Sequence, residues 1–209
     1  MLENYRKDEL GVIHQIKSEK YDYNRDYVNN SYNTYGELPR LISYLRLGNI
    51  IGSIGKHPTS ILDVGYGNGD FLKLCSEVIS KCYGNDISGY SIPNKCTFVD
   101  NIFQREYDVI TFFDVLEHFE EINFVSRLHC KYIVVSVPWC HYFSDEWFEN
   151  WKHRREDIHL HHFNDVSLVN FMRKNNFRCI SLTNVEDIIR KPVDKNKNIL
   201  TGVFEKIIN

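Results

Sequence analysis

Three glycines at alternate positions, Gly65, Gly67 and Gly69, punctuate the run Ile61-Leu62-Asp63-Val64-Gly65-Tyr66-Gly67-Asn68-Gly69-Asp70-Phe71-Leu72. An apolar strand here enters a turn whose backbone can approach a ligand without Cβ atoms in the way, and a helix follows. A dinucleotide fingerprint reads G-x-G-x-x-G and sets a pyrophosphate over the helix N-terminus. In this chain the third glycine comes one residue early and Asp70 opens the helix. Asp63 and Asp70 would repel a pyrophosphate, whereas both suit a ligand that carries an ammonium and a sulfonium.

S-adenosylmethionine is the common cofactor with that pair of charges, and the following acids fall where it needs them. A second predicted strand, 81–85, ends at Asp86, twenty-three residues beyond Asp63 and close to the interval at which an acid takes ribose hydroxyls in such folds. A third, 96–99, ends at Asp100-Asn101, where a side chain can accept from an adenine amino group. A fourth, 107–113, runs into Asp114-Val115-Leu116-Glu117-His118.

In this order and spacing the motifs resemble those of the class I S-adenosylmethionine-dependent methyltransferases. The resemblance is to the branch with Leu-Glu-His after the fourth strand, which includes the ubiquinone-biosynthesis O-methyltransferases, and it covers roughly residues 58–185. It implies that Asp63, Gly65, Gly67 and Gly69 hold the methionine part of the cofactor, Asp86 the ribose and Asp100 the adenine. Tyr66, Ile87, Asn101 and Phe113 complete the expected cofactor-binding set. Tyr66 departs from the small residue or cysteine frequent in the family, at a position where backbone groups do most of the binding.

Methyl transfer is an in-line displacement at a carbon the sulfonium already activates, so the protein chiefly aligns the acceptor and removes a hydroxyl proton. His118 is the first candidate base, because it follows the fourth strand at the carboxyl edge, where ligand crevices form in open α/β sheets. Its simpler role is packing at the start of the next helix. A denser group lies between 139 and 163, which holds five of the nine histidines and all three tryptophans. His159, with Asp157 two residues away, is the second candidate base. Aromatic faces beside Arg154 and Arg155 would suit a ligand with a flat or sugar portion and an anionic group. Trp139, His141, Trp151, Arg154, His161 and His162 are therefore the expected substrate contacts.

Asp114-x-x-Glu117-His118 also gathers oxygen and imidazole groups within five residues. Metal-dependent 2′-O-methyltransferases of small RNA and ubiquinone O-methyltransferases are similar there, and His159 or His161 would complete such a set, a cation lowering the pKa of a substrate hydroxyl. Aspartate replaces the family's usual glutamate at 114, and its shorter reach leaves helix capping as the simpler role of Asp114 and Glu117. No metal is the expectation, with Asp114, Glu117 and His118 as the candidates if one is used. The end of the fourth strand lacks the Asn/Asp-Pro-Pro-Tyr/Phe signature of base amino-methylation, and Pro138-Trp139-Cys140 separates the Pro-Cys pair that attack on a pyrimidine ring requires.

The elements that must position these groups read as one α/β domain over residues 1–209. The expected architecture is a Rossmann-like, doubly wound seven-stranded sheet in an α/β/α sandwich, mostly parallel with an antiparallel C-terminal hairpin strand. Residues 1–40, with Tyr21, Tyr23, Tyr27, Tyr32 and Tyr35 too irregular for a strand or helix, are expected to form a lid. Helices are expected over 41–54, 71–80, 120–130 and 165–175, and a substrate-side insertion over 138–163. Strands 132–137, 177–185 and 199–207 complete the sheet. The net charge of −3 gives no global attraction to polyanions, and the aromatic-basic cluster favours a small polar or anionic molecule as acceptor. Two alternatives stay open, a nucleic-acid-end methyltransferase and a binder of the cofactor without transfer activity. With no membrane span, no signal peptide and scattered cysteines, a cytoplasmic monomer or homodimer is expected.

Overall fold

The structure, a computed structural model, describes residues 2–19, 37–192 and 195–208. The five tyrosines of the expected lid lie outside the described residues. Ahead of them stands regular structure that irregular tyrosine spacing does not announce: strands β1 (Tyr5–Lys7) and β2 (Ile13–Gln15) pair antiparallel. Asp8 Oδ1 accepts from the amides of Leu10 and Val12, and Gly11 turns at φ 89°, so the hairpin is closed by local side-chain bonds.

Helix α1 (Leu38–Ile54) starts with Pro39 in its first turn and ends at Gly55 in the left-handed region. Strand β3 (Ser60–Val64) then enters the glycine turn, and α2 (Asp70–Cys75) leaves it. The expected helix to residue 80 stops at Cys75. Ser76 Oγ donates back to the Lys73 carbonyl, and the next bonds, Glu77 to Leu74 and Val78 to Cys75, span three residues instead of four. Strands β4 (Lys81–Asn85), β5 (Cys96–Phe98) and β6 (Tyr107–Phe113) follow.

The helix expected over 120–130 is absent. Ile122, Val125 and Leu128 are buried at intervals of three, the period of a 3₁₀ turn, which spans Asn123–Arg127. Strand β7 (Cys130–Pro138) begins at once after it. Helix α3 (Asp145–Asn150) is capped by Ser144, and the two-residue strand β8 (His161–His162) joins β2, extending the hairpin to three strands. Helix α4 (Asp165–Lys174) is held by a reciprocal cap between Asn164 and Ser167, and β9 (Phe177–Thr183) and β10 (Ile199–Lys206) end the chain's regular structure.

The main sheet has the order β5-β4-β3-β6-β7-β10-β9, parallel except for β10, which runs antiparallel to both neighbours. One face packs against α4 and the 3₁₀ turn through Leu168, Phe171, Met172 and Val125. The other packs against α1 and α2 through Ile50, Phe71 and Leu72. Chain order reverses between β3 and β6. At this switch point the two loops part at the carboxyl edge and leave the crevice in which such sheets bind ligands. No helix among the described residues is long and apolar enough to cross a membrane.

Candidate functional site

Both loops at the switch point carry the residues singled out by sequence. Gly65, Gly67 and Gly69 all adopt positive φ, and Asp86, at the end of β4, holds the turn by accepting from the Gly67 amide at 2.8 Å and the Ser88 amide at 2.7 Å. A carboxylate has about four lone-pair sites, so two amide bonds leave Asp86 capacity for ligand hydroxyls. Two of the glycines serve packing as well as ligand approach. A Cβ on Gly65 would lie 2.4 Å from Val115 Cγ2, and one on Gly69 would lie 2.5 Å from Pro93 Cγ.

Asp63 is buried beneath the turn and accepts from Thr111 Oγ1 at 2.6 Å; burial raises its pKa to about 7. Tyr66 is buried with its hydroxyl donating to the Tyr90 carbonyl. Ile87 and Asp100 are exposed along the β4 and β5 ends, and Asn101 Oδ1 accepts from the Phe103 amide. Phe113 packs edge-on against Phe71. Arg46 of α1 lies over the Phe113 ring, 4.2 Å from its centroid.

Arg46 belongs to a buried ionic network that sequence reasoning did not reach. It bonds Glu186 and Asp114, while Arg190 bonds the same two acids. Ser136 Oγ also donates to Glu186. Burial alone would raise the Asp114 pKa, but Arg190 and Arg46 outweigh it and hold the carboxyl below the usual range. The only signal in the sequence was a pair of arginines 144 positions apart, which no spacing rule connects.

Three residues past Asp114, a second cluster forms. Glu117, His118 and His159 bring one ligand-type atom each within 4.8 Å of one another. Glu117 is 1% exposed, and neither of its carboxylate oxygens has a hydrogen-bond partner. Burial, reinforced by the charge of Asp114, pushes its pKa well up. His118 Nδ1 donates to the Ile158 carbonyl and His159 Nδ1 to the His153 carbonyl, both at 2.7 Å. A carbonyl only accepts, so each neutral ring carries its lone pair on Nε2. Burial lowers the pKa of both rings, that of His159 to about 2. The Glu117 carbonyl accepts from the Leu160 amide, which ties the 158–160 segment to the end of β6 and explains how residues forty positions apart meet.

The 139–163 segment separates into two environments. Arg154 packs over Tyr5, 5.8 Å from the ring centroid, and pairs with Glu156. His161 shares its Nδ1 with His14 Nδ1 at 2.8 Å and donates from Nε2 to the Phe119 carbonyl, while His162 is buried among Tyr5, Phe148 and Trp151. These three residues lie in the packing between the three-stranded sheet and the segment that covers it. His141 lines a groove at the end of β7 and stacks on the buried Trp139, while Trp151 stands between that groove and His162. Cys140 is buried, and burial pushes its thiol up to about 12, far from a nucleophilic thiolate.

Fold and site together define a Rossmann-like protein whose glycine turn and acidic strand ends face one crevice. Residues 33–182 match the family described as "Methyltransferase domain", and the chain belongs to that family, as a class I S-adenosylmethionine-dependent methyltransferase. No curated protein matches the chain. Among solved structures it is similar to the methyltransferase in the complex with the Haloferax volcanii Trm112 methyltransferase activator, at 10% identity and TM-score 0.63, over 91% of this chain and all of that one. It is similar to the magnesium protoporphyrin IX methyltransferase of Synechocystis PCC 6803, solved with S-adenosylhomocysteine, at 14% identity and TM-score 0.58, over 87% of this chain and 97% of that one. The Burkholderia thailandensis 1,6-didemethyltoxoflavin-N1-methyltransferase gives 12% identity and TM-score 0.60, over 98% of this chain and all of that one. At these identities the likeness establishes the fold.

Proposed function

We propose that this enzyme transfers the methyl group of S-adenosylmethionine to a hydroxyl oxygen of a small polar acceptor, and that Glu117, His118 and His159 hold a divalent cation beside it. The observation that carries the reading is the buried Glu117 carboxylate without a hydrogen-bond partner, faced by two imidazoles whose Nδ1 atoms are committed to carbonyls. Leaving a carboxylate so placed is unfavourable by several kcal/mol unless it meets a proton or a cation. Imidazoles oriented through Nδ1 by backbone carbonyls are the usual outer-shell arrangement of metal-binding histidines. Asp114 is taken up by two arginines, so the donor set is one carboxylate and two imidazoles, which favours a first-row transition ion over Mg²⁺.

Held by Glu117, His118 and His159, a cation would supply Lewis acidity that eases loss of the acceptor hydroxyl's proton to solvent. The chain's own contribution is alignment: Asp63 and the glycine turn fix the methionine end, Asp86 the ribose, and the strand ends direct the acceptor across the crevice. The alternative is a metal-free base, for which His118 is the candidate, because burial pushes His159 down to about 2, too weak a base to take a hydroxyl proton near neutral pH.

Calorimetric titration of Mn²⁺, Co²⁺, Zn²⁺ and Mg²⁺ into chelator-treated protein loaded with S-adenosylhomocysteine separates the two. One ion per chain is expected, weakened more than about tenfold in Glu117→Gln and His159→Ala. Absence of stoichiometric binding by any of the four ions overturns the cation. Metabolite extracts incubated with labelled cofactor, with and without chelator, then show whether transfer occurs and needs it.

A further inference from the structure

Asp157 stands in a left-handed backbone, φ 62°, a conformation unfavourable for residues other than glycine unless their surroundings enforce it. It lies two residues before His159, so the group that holds it there also sets the path of the chain through Ile158 and His159. That group comes from the other end of the protein. Gln15, the last residue of β2, accepts at Oε1 from the Asp157 amide at 3.0 Å and donates from Nε2 to Asp157 Oδ1 at 2.7 Å, a reciprocal pair. The second Nε2 hydrogen goes to the Lys17 carbonyl at 2.6 Å. Both donors of the side-chain amide and its oxygen are thus engaged. The Gln15 main-chain amide donates to the Leu160 carbonyl at 2.9 Å, and the Glu19 amide adds a bond to Asp157 Oδ1 at 3.0 Å.

Gln15 therefore grips the 157–160 segment at both ends, and the residues between the grips build the cluster at the end of β6. The Ile158 carbonyl accepts from His118 Nδ1 at 2.7 Å, His159 supplies an imidazole, and the Leu160 amide donates to the Glu117 carbonyl at 2.7 Å. Its neighbour His14 holds the other strand of the site: His14 Nδ1 meets His161 Nδ1 at 2.8 Å, and His161 Nε2 donates to the carbonyl of Phe119, the residue after His118. Gln15 and Asp157 are both half-buried, so matched hydrogen bonds and not apolar burial fix their pairing.

We propose that Gln15 is a positioning residue for Glu117, His118 and His159, acting through its reciprocal bonds with Asp157 and its amide bond to Leu160. The N-terminal hairpin thereby belongs to the site, although it precedes the residues that match the family. What the cluster does chemically rests on the reading above; the hold of Gln15 on its geometry does not.

The test uses the full chain, chelator-treated and loaded with S-adenosylhomocysteine. Nitrogen NMR of histidine-labelled protein at neutral pH reads which ring nitrogen of His118 carries the proton, calorimetry reads Co²⁺ affinity, and thermal unfolding reads the structural loss. The wild type should show His118 in its Nδ1–H form alone. Gln15→Ala should bring in the Nε2–H form and weaken Co²⁺ about tenfold or more, at a temperature where the variant is folded. Gln15→Glu sets a second carboxylate against Asp157 and should do the same. Adding Asp157→Asn to Gln15→Glu gives that carboxylate an amide donor, and should restore the His118 form and bring Co²⁺ affinity back to within about threefold. If Gln15→Ala does not fold, the Gln15→Glu variants with and without Asp157→Asn carry the test. A lowered melting temperature with His118 and Co²⁺ affinity unchanged makes Gln15 merely structural and overturns the proposal, as does a lack of recovery on adding Asp157→Asn. Absence of Co²⁺ binding in the wild type, with the His118 form shifting in the variants, removes the cation and leaves the role of Gln15 standing. Tight Co²⁺ binding that no Gln15 variant alters removes Gln15 and leaves the cation.

Discussion

Arg190 donates from one nitrogen to both carboxylate oxygens of Asp114, at 2.8 Å each, and so turns that acid toward the ionic network and away from its neighbour Glu117. Asp114 adopts φ 57°, a left-handed backbone that aspartate and asparagine tolerate better than most residues. The turn therefore places Asp114 and Glu117 in opposite electrostatic environments three residues apart. One is paired with two guanidinium groups, and the other is buried with no hydrogen-bond partner on its carboxylate. Asp114→Asn should accordingly keep the turn and change metal affinity by less than about tenfold, whereas Glu117→Gln should reduce it by more. Equal losses in calorimetric titrations of the two variants would place Asp114 among the ligands.

The same network sets a stability prediction. Arg46, with a side chain 14% exposed, bonds the fully buried Glu186 through two nitrogens at 2.9 and 3.0 Å. Arg46→Met removes one of the two guanidinium groups that neutralise Glu186 and should lower stability by about 2–4 kcal/mol. Denaturant unfolding checks this. A loss below about 1 kcal/mol would mean that Arg190 alone suffices.

Acid should destabilise the metal-free protein in two stages. Burial holds His153 at about 4, His159 at about 2, His161 at about 4 and His162 at about 3. The unfolded chain protonates all four near pH 6.5, so it binds more protons than the folded state and stability falls with pH below that value. Asp63, raised to about 7, and Glu117, raised by burial, act with the opposite sign, because the folded state holds their protons down to the unfolded values near 4. Four groups against two give a slope of about 3 kcal/mol per pH unit near pH 5, and His118, also lowered by burial, adds to it. Below about pH 4 the two raised carboxyls stop offsetting the loss. Asp114 and Asp108, whose partners hold their carboxyls low against burial, then add to it, and unfolding steepens. Melting temperatures across pH 3–7 with chelator present should show this break.

Parallel strands were legible in the sequence because each is an apolar run bounded by turn residues; β4 and β6 begin and end where those boundaries fall. The placement of Asp86 and Asp100 just past strand ends was legible because such positions recur at intervals set by one βα unit. Of the second half, the sequence offered Glu117 and His118 with His159 or His161, but not the contact that selects His159. His159 meets Glu117 through a bond from the Leu160 amide to the Glu117 carbonyl, a contact between distant segments that no local period encodes. Arg154, His161 and His162 share the composition of the groove residues, yet β8 pairs with β2 and turns their side chains into packing against Tyr5, Phe148 and His14. That pairing rests on a three-residue strand, too short to show an alternation of apolar and polar residues.

Cofactor affinity should depend on Asp86 in two ways at once, through ligand hydroxyls and through the amide of Gly67 that it holds at 2.8 Å. Asp86→Ala should weaken S-adenosylhomocysteine binding by about 1.5–3 kcal/mol, the span of a hydrogen bond to a charged group. Asp86→Asn keeps an acceptor oxygen for Gly67 and should lose less. Calorimetry giving wild-type affinity for Asp86→Ala would remove Asp86 from the cofactor site.

Gly65 couples the cofactor turn to the segment that carries Glu117 and His118. Its φ of 74° disfavours any side chain, and a Cβ there would lie 2.4 Å from Val115 Cγ2, two residues before Glu117. Gly65→Ala therefore faces backbone strain of about 1–2 kcal/mol together with a clash that pushes the 114–118 turn outward. Val115→Ala removes the opposing methyl groups and relieves the clash without relieving the strain. The double variant should be more stable than the sum of the single losses predicts, by about 1 kcal/mol or more, and should regain part of the metal affinity that Gly65→Ala loses. Additive losses in a double-mutant cycle would show that the turn and the cation cluster are mechanically independent, and that the crevice tolerates movement of either wall.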